Sequence, residues 1–297
     1  MDDQTNLMDK YPLETYEYFL LGPMTKIYAR RSKKTDWERH ANLLIDKFAI
    51  HSSTLFHVMQ GMIEHKGSSL NRKKMAYDPF SVNVLIRVII ETYIAFHHIF
   101  ISTKDKDEIR LRFQLWQLDG LLEKRKFRVE NSDFLEAETI LKQDAKRIEY
   151  LCIEIEQNNF FNKFPKTEQL KIYESTNTRK KVAWKFNISN DFKIRPLQII
   201  QLVEQICPTR AFVNTYKYSS IHTHSGYLAI EHFENVRGKE VPTEQKEPII
   251  KIAIYLTVFL ITDMCNSDEQ ARKEFENLPT GIQDIINGIN NSFRNNS

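Results

Sequence analysis

Residues 83–100, NVLIRVIIETYIAFHHIF, limit most what this chain can fold into. The stretch is apolar nearly all the way round, and its charges, Arg87 and Glu91, stand four residues apart. At about 100° per residue, Asn83, Arg87, Glu91, Ile94 and His98 fall on one narrow stripe. Val84, Leu85, Val88, Ile89, Thr92, Tyr93, Phe96 and Ile99 cover the rest. A helix apolar on most sides lies inside a protein, and a charged stripe inside must be paired. The expected fold is therefore all-α, a single multi-helix bundle with this helix at its buried centre.

A core of that kind is within reach of 297 residues carrying 19 Phe, 12 Tyr and 3 Trp. Only 8 Gly and 9 Pro argue against a loop-rich β fold. The net charge of +3, from 42 Lys+Arg against 39 Asp+Glu, does not by itself mark a nucleic-acid binder. Cys152, Cys207 and Cys265 are far apart and read as buried thiols of a reducing cytoplasm. The start, MDDQTNLMDK, is too acidic and polar for a secretory signal. Two stretches mimic membrane spans. Residues 84–101 carry Arg87, Glu91 and two His, and 249–262 is short and includes Lys251. A span needs roughly 20 mostly apolar residues. Both read as buried helices of a cytoplasmic chain with no membrane span.

Three regions follow. Residues 1–35 form a docking segment, with Tyr16, Phe19 and Leu20 at helical spacing and Gly22-Pro23 as its stop. Residues 36–275 form the helical domain. Asp36 is placed to cap a helix from Trp37 to about His65, and Asp78-Pro79 opens the central helix. Helices are expected over 107–128 and, capped by Ser132, to about Asn158. Residues 159–195 lack period, with at most a short hairpin in 173–195, and such an excursion reads as a mobile lid. Pro196 should open a helix to Cys207, Pro208-Thr209 another toward His224, and 249–265 a second buried one. Residues 276–297 hold a last helix over about 280–294 and a frayed tail.

Three constellations could carry chemistry. Arg87 and Glu91 are an i,i+4 ion pair that either fixes helix register or clamps an anion. In the run 216–226, YKYSSIHTHSG, Tyr218 and His222 share a helical face with Ser219 beside them. His222 is either a satisfied core histidine or a general acid/base near neutral pH. His222-x-His224 lacks further ligands for a metal, and no cofactor motif occurs. Arg179, Lys180, Lys181 and Lys185 surround Trp184, a pattern that contacts a nucleic-acid backbone and stacks a base, or else is a solvated loop.

Taken in order, Arg87, Glu91 and Thr92 form Arg-x3-Glu-[ST], Arg110 or Arg112 opens the next helix, and Tyr218, Ser219 and His222 form Tyr-Ser-x2-His. This resembles an uncharacterised, mainly bacterial all-α family, domain of unknown function 5677, over roughly residues 40–265. A more distant resemblance is to the HEPN ribonucleases of toxin and phage-defence systems, helical bundles that pair Arg and His near a dimer axis. Their usual motif puts both on one helix, whereas here they stand on separate helices. The resemblance implies a metal-independent RNase with RNA as substrate and a homodimer as assembly. His222 would be the base, Arg87 the phosphate clamp, Glu91 the orienting group, and Ser219 or Tyr218 a phosphate ligand. The alternative is a non-enzymatic binding or regulatory module in which these residues form a structural polar network. Arg87, Glu91 and His222 should then lie close in space, open to solvent in the first case and sealed in the second.

Overall fold

The computed structural model describes residues 12–29, 31, 35–60, 62–63, 75–76, 78–126, 137–176, 180–189, 191–207, 209–223, 226–236 and 243–294. In chain order these form α1 (Pro12–Glu14), a π-helical run (Thr15–Leu21), α2 (Gly22–Ala29), α3 (Asp36–Gln60), β1 (Met62–Ile63), β2 (Met75–Ala76), α4 (Pro79–Phe100), α5 (Lys106–Lys124) and α6 (Ala137–Glu156). A 3-10 turn (Phe161–Lys163) leads to α7 (Lys166–Ile172), β3 (Tyr173–Ser175), β4 (Lys180–Val182), β5 (Phe186–Ile188) and β6 (Ile194–Pro196). Then come α8 (Ile199–Ile206), α9 (Arg210–Thr223), α10 (Tyr227–Val236), α11 (Thr243–Ser267), α12 (Glu269–Glu276) and α13 (Thr280–Arg294). The fold is all-α, as the periodicity requires, and its strands make only short antiparallel pairs. Two compact units result, Met1–His97 with Val203–Ser297, and His98–Leu202.

In the first unit, α4 buries Val82, Ile86, Ile89, Ile90, Tyr93 and Phe96. It packs on α11, where Ala253, Ile254, Leu256, Val258, Phe259 and Ile261 are buried and Phe259 meets Tyr93. Each such aliphatic or aromatic side chain contributes about 1.5–3 kcal/mol on burial. Both helices are long and apolar enough to cross a membrane, and both lie mostly inside the fold. Asp78 caps α4, accepting from the Phe80 and Ser81 N–H groups at 3.0 and 3.2 Å.

Three local expectations are corrected here. Thr35, not Asp36, caps α3. Its hydroxyl accepts from the Glu38 N–H at 3.2 Å while the Glu38 carboxylate accepts from the Thr35 N–H at 2.8 Å, a reciprocal box. Gly22-Pro23 does not stop the N-terminal helix, although Tyr16 and Leu20 dock as expected. The π-helical run just before Pro23 shifts the pairing so that the missing N–H is accommodated, and Thr25 donates to the Leu21 carbonyl at 2.9 Å. Finally, the second buried helix starts before residue 249, since the polar residues 243–248 already belong to α11. They are held by the Glu247–Lys251 pair at 2.6 Å and by Lys246 donating to the Met59 carbonyl.

In the second unit, Asp105 caps α5, and α5 packs on α6 through Arg110 and Gln114, which both reach Glu154. The expected cap Ser132 lies outside the described residues. Residues 159–195 are not patternless. They form the 3-10 turn, α7 and two hairpins, with Phe161, Tyr173, Trp184, Phe186 and Ile194 buried. Pro196 ends β6 opposite Phe186 instead of opening α8. Inside the unit, Arg112 binds Glu108 through Nε and Nη2 at 2.9 and 2.6 Å. Its Nη1 lies against His98, whose Nε2 is 3.1 Å from the Trp184 carbonyl. The cation also stacks on the Phe186 ring at 4.6 Å. The basic segment is thus pinned from within.

Candidate functional site

On α4, Phe80, Asn83, Arg87 and Glu91 recur every three or four residues. On α9, Tyr216, Ser220 and Thr223 do the same. Each set therefore forms one stripe, and the two stripes meet. Arg87 Nε donates to Glu91 Oε1 at 2.9 Å, and Nη1 donates to Ser220 Oγ at 3.1 Å and Thr223 Oγ1 at 3.3 Å. Nη2 lies 3.5 Å from the Tyr216 hydroxyl, which itself donates to Glu91 Oε1 at 2.9 Å. Rising numbers on α4 meet falling numbers on α9, so the helices run antiparallel.

The pair is open. The Arg87 and Glu91 side chains keep 23% and 39% of their surface exposed. Burial pulls the Arg87 guanidinium down, but the bond to Glu91 and the neighbouring Tyr216 outweigh it and leave it raised. Burial first, then Glu91, pushes the Tyr216 phenol up to about 12, so it stays a donor. Among the guanidinium's five N–H groups, those on Nη2 are the least used, with one long contact.

The adjoining face of α9 carries a second cluster. His222 is buried at 4% exposure, with Nδ1 3.1 Å from the Tyr218 carbonyl and Nε2 3.1 Å from His232 Nδ1 on α10. A carbonyl only accepts, so His222 donates from Nδ1. In its neutral form it then offers the Nε2 lone pair to His232 Nδ1–H. His232 Nε2 is left with the free lone pair. Burial, and then the charge of His222, lowers the pKa of the half-buried His232. Phe80 closes one side of His222, with ring centres 6.3 Å apart.

The structure brings together some of the expected residues and separates others. Among the described residues no hydrogen bond joins His222 to Arg87 or Glu91. Arg87 reaches Thr223, the next residue, instead. Ser219 is fully buried and donates to the Tyr216 carbonyl at 2.9 Å, so it holds the helix and offers no free hydroxyl. Tyr218 is exposed, with its hydroxyl 3.3 Å from His232 Nδ1. Tyr216, Ser220, Thr223 and His232 complete the site. None of the four was among the expected site residues: the first three lie in the run 216–226 beside the residues that were, and a lone histidine at 232 carried no signal.

The basic segment does not offer a base-stacking platform. Trp184 is buried beside His98, and Lys185 lies over its ring at 4.5 Å. Lys180 turns to Ser175 at 2.9 Å, Lys181 is exposed, and Arg179 lies outside the described residues, as does His224. Among the described residues no group of three or more His, Cys, Asp or Glu is gathered as a metal would need. No family model matches the chain, and neither a curated protein nor a solved structure matches it.

Proposed function

We propose that the chain is a metal-independent ribonuclease acting as a toxin or defence effector through the face built by α4, α9 and α10. The observation that carries this reading is the openness of the Arg87–Glu91 pair. A phosphate clamp must reach solvent, and this pair does. His232 takes the base role earlier assigned to His222, and His222 positions it, as an acceptor behind a catalytic imidazole does. His232 Nε2 removes the proton from a ribose 2′-hydroxyl. The oxygen attacks the adjacent phosphorus, and the P–O5′ bond breaks as the 5′ oxygen regains a proton. Arg87 Nη2 stabilises the oxygens that gain charge. Glu91 holds Arg87 in place.

The second reading is a binding module. Tyr218, Ile221, Tyr227, Leu228 and Ile230 are all exposed on the α9–α10 hairpin, an apolar surface that suits a protein partner. Incubation of the purified chain with single-stranded RNA and a chelator separates the two. Ends bearing 2′,3′-cyclic phosphate, absent with the DNA counterpart and lost in Arg87→Met, support the nuclease. Intact RNA at high protein concentration removes it and leaves the binding module.

A further inference from the structure

In the second unit a thiol, an amine and a hydroxyl converge. Cys152, near the end of α6, lies 3.6 Å from the Nζ of Lys180 on β4 and 3.9 Å from the Oγ of Ser175 on β3. Lys180 Nζ also donates to Ser175 Oγ at 2.9 Å. Across the β3–β4 pair, Ser175 stands opposite Lys180, so the hairpin register itself brings the two donors to the sulfur. Tyr173, on the same strand, donates to Glu156 at 3.0 Å and closes the inner side. Among the described residues Lys180 has no carboxylate partner, so Glu156 does not claim it.

Cys152 as a residue keeps 7% of its surface exposed, beside the half-exposed Lys180 and Ser175. A small oxidant can reach such a sulfur, whereas a folded partner cannot. The other two cysteines lie in the first unit. Burial pushes Cys207 up to about 12, and burial, offset by Arg31, pushes Cys265 to about 12. All three are free thiols.

We propose that Cys152 and Lys180 form a peroxide-responsive cross-link that ties α6 to the β3–β4 hairpin. The thiol first reacts with hydrogen peroxide. The O–O bond breaks, sulfur loses two electrons, and sulfenic acid and water form. The Lys180 ammonium gives one proton to solvent, and its nitrogen attacks the sulfur. An S–N bond forms, the S–OH bond breaks, and the hydroxyl leaves as water with one of the two remaining amine protons, the other staying on nitrogen. Sulfenic acids condense with nitrogen in this way, and the enforced proximity of the amine raises its effective concentration far above that of any free amine. A thiol reductant reverses the step, attacking sulfur and releasing the lysine amine.

The test is peptide mass mapping of the full-length chain after brief treatment with dilute hydrogen peroxide. The expected product joins the peptides of Cys152 and Lys180 with the loss of two hydrogens, disappears on adding a thiol, and forms ahead of oxidation at the more exposed Cys265. In Lys180→Arg, which keeps the charge but is a poor nucleophile, Cys152 should stop at a sulfenic acid that a carbon-acid probe labels. Lys180→Met should give the same labelled product if it folds. Oxidation at Cys265 before Cys152 would overturn the proposal. So would identical Cys152 products in wild type and Lys180→Arg, or oxidation of Cys152 with no joined peptide.

Discussion

Arg294 is a side chain on which a single change should be costly. It donates from Nη1 to Asp263 Oδ1 at 2.6 Å, its Nη2 reaches the other carboxylate oxygen and Tyr93, and its cation lies over Phe259. Asp263 is almost fully buried. Arg294→Met would leave that carboxylate with the Tyr93 hydroxyl as its remaining donor here, at a cost on the order of 3 kcal/mol in urea unfolding. A cost below about 1 kcal/mol would show that the pair is not enclosed as described. Arg87 makes the contrasting case. Its pair with Glu91 is open, so Arg87→Met should cost about 1 kcal/mol or less, and a loss as large as that at Arg294 would mean a sealed network. At this scale the sequence was only partly legible. The i,i+4 spacing of Arg87 and Glu91 announced a pair, but the hydroxyls of Ser220 and Thr223 that complete it come from a helix more than 130 residues away. Nothing local in the sequence could tell that His222 faces His232 and not Arg87.

Among the elements, helices with a clear apolar period were legible, and so was the cap at Asp78. Those without such a period were not. Helix α10 has Tyr227, Leu228, Ile230, Glu231 and Glu234 on its exposed side, so its outward face interrupts any amphipathic pattern. One short hairpin was allowed for within 173–195 and two are found, the second being hard to read because the strands are three residues long and buried through Tyr173, Phe186 and Ile194 alone. Capping offers a sharp check. Thr35→Ala removes the hydroxyl that satisfies the Glu38 N–H and frees the Glu38 carboxylate, so α3 should lose about 1 kcal/mol. Asp36→Asn should cost less, because Asp36 lies inside the first turn and its carboxylate meets the exposed Arg39 at 2.7 Å and His40 Nδ1 at 3.5 Å, both at the surface end of the helix. The reverse ranking in thermal melts would restore Asp36 as the cap.

For the whole molecule, pH should act through two histidines, His51, whose pKa burial and then Lys47 lower, and His232. Burial and the charge of His222 lower the pKa of His232 from the ordinary 6.5, so the unfolded chain binds this proton more readily than the folded one. Its contribution is complete above pH 6.5 and is lost as pH falls through the folded value. The melting temperature should therefore drop on acidification below pH 6.5, and His232→Gln should flatten that slope. An unchanged slope would place the titration elsewhere. The same imidazole carries the main claim, since the free Nε2 of His232, backed by His222, is the group assigned to take the ribose proton. Single-turnover cleavage of a defined RNA by His232→Gln and His222→Gln, each compared with wild type, tests this most directly. The account predicts a loss of about 100-fold or more for His232→Gln, the range of a general base, and a smaller loss for His222→Gln. Wild-type cleavage by His232→Gln, or a larger loss in His222→Gln, would contradict it.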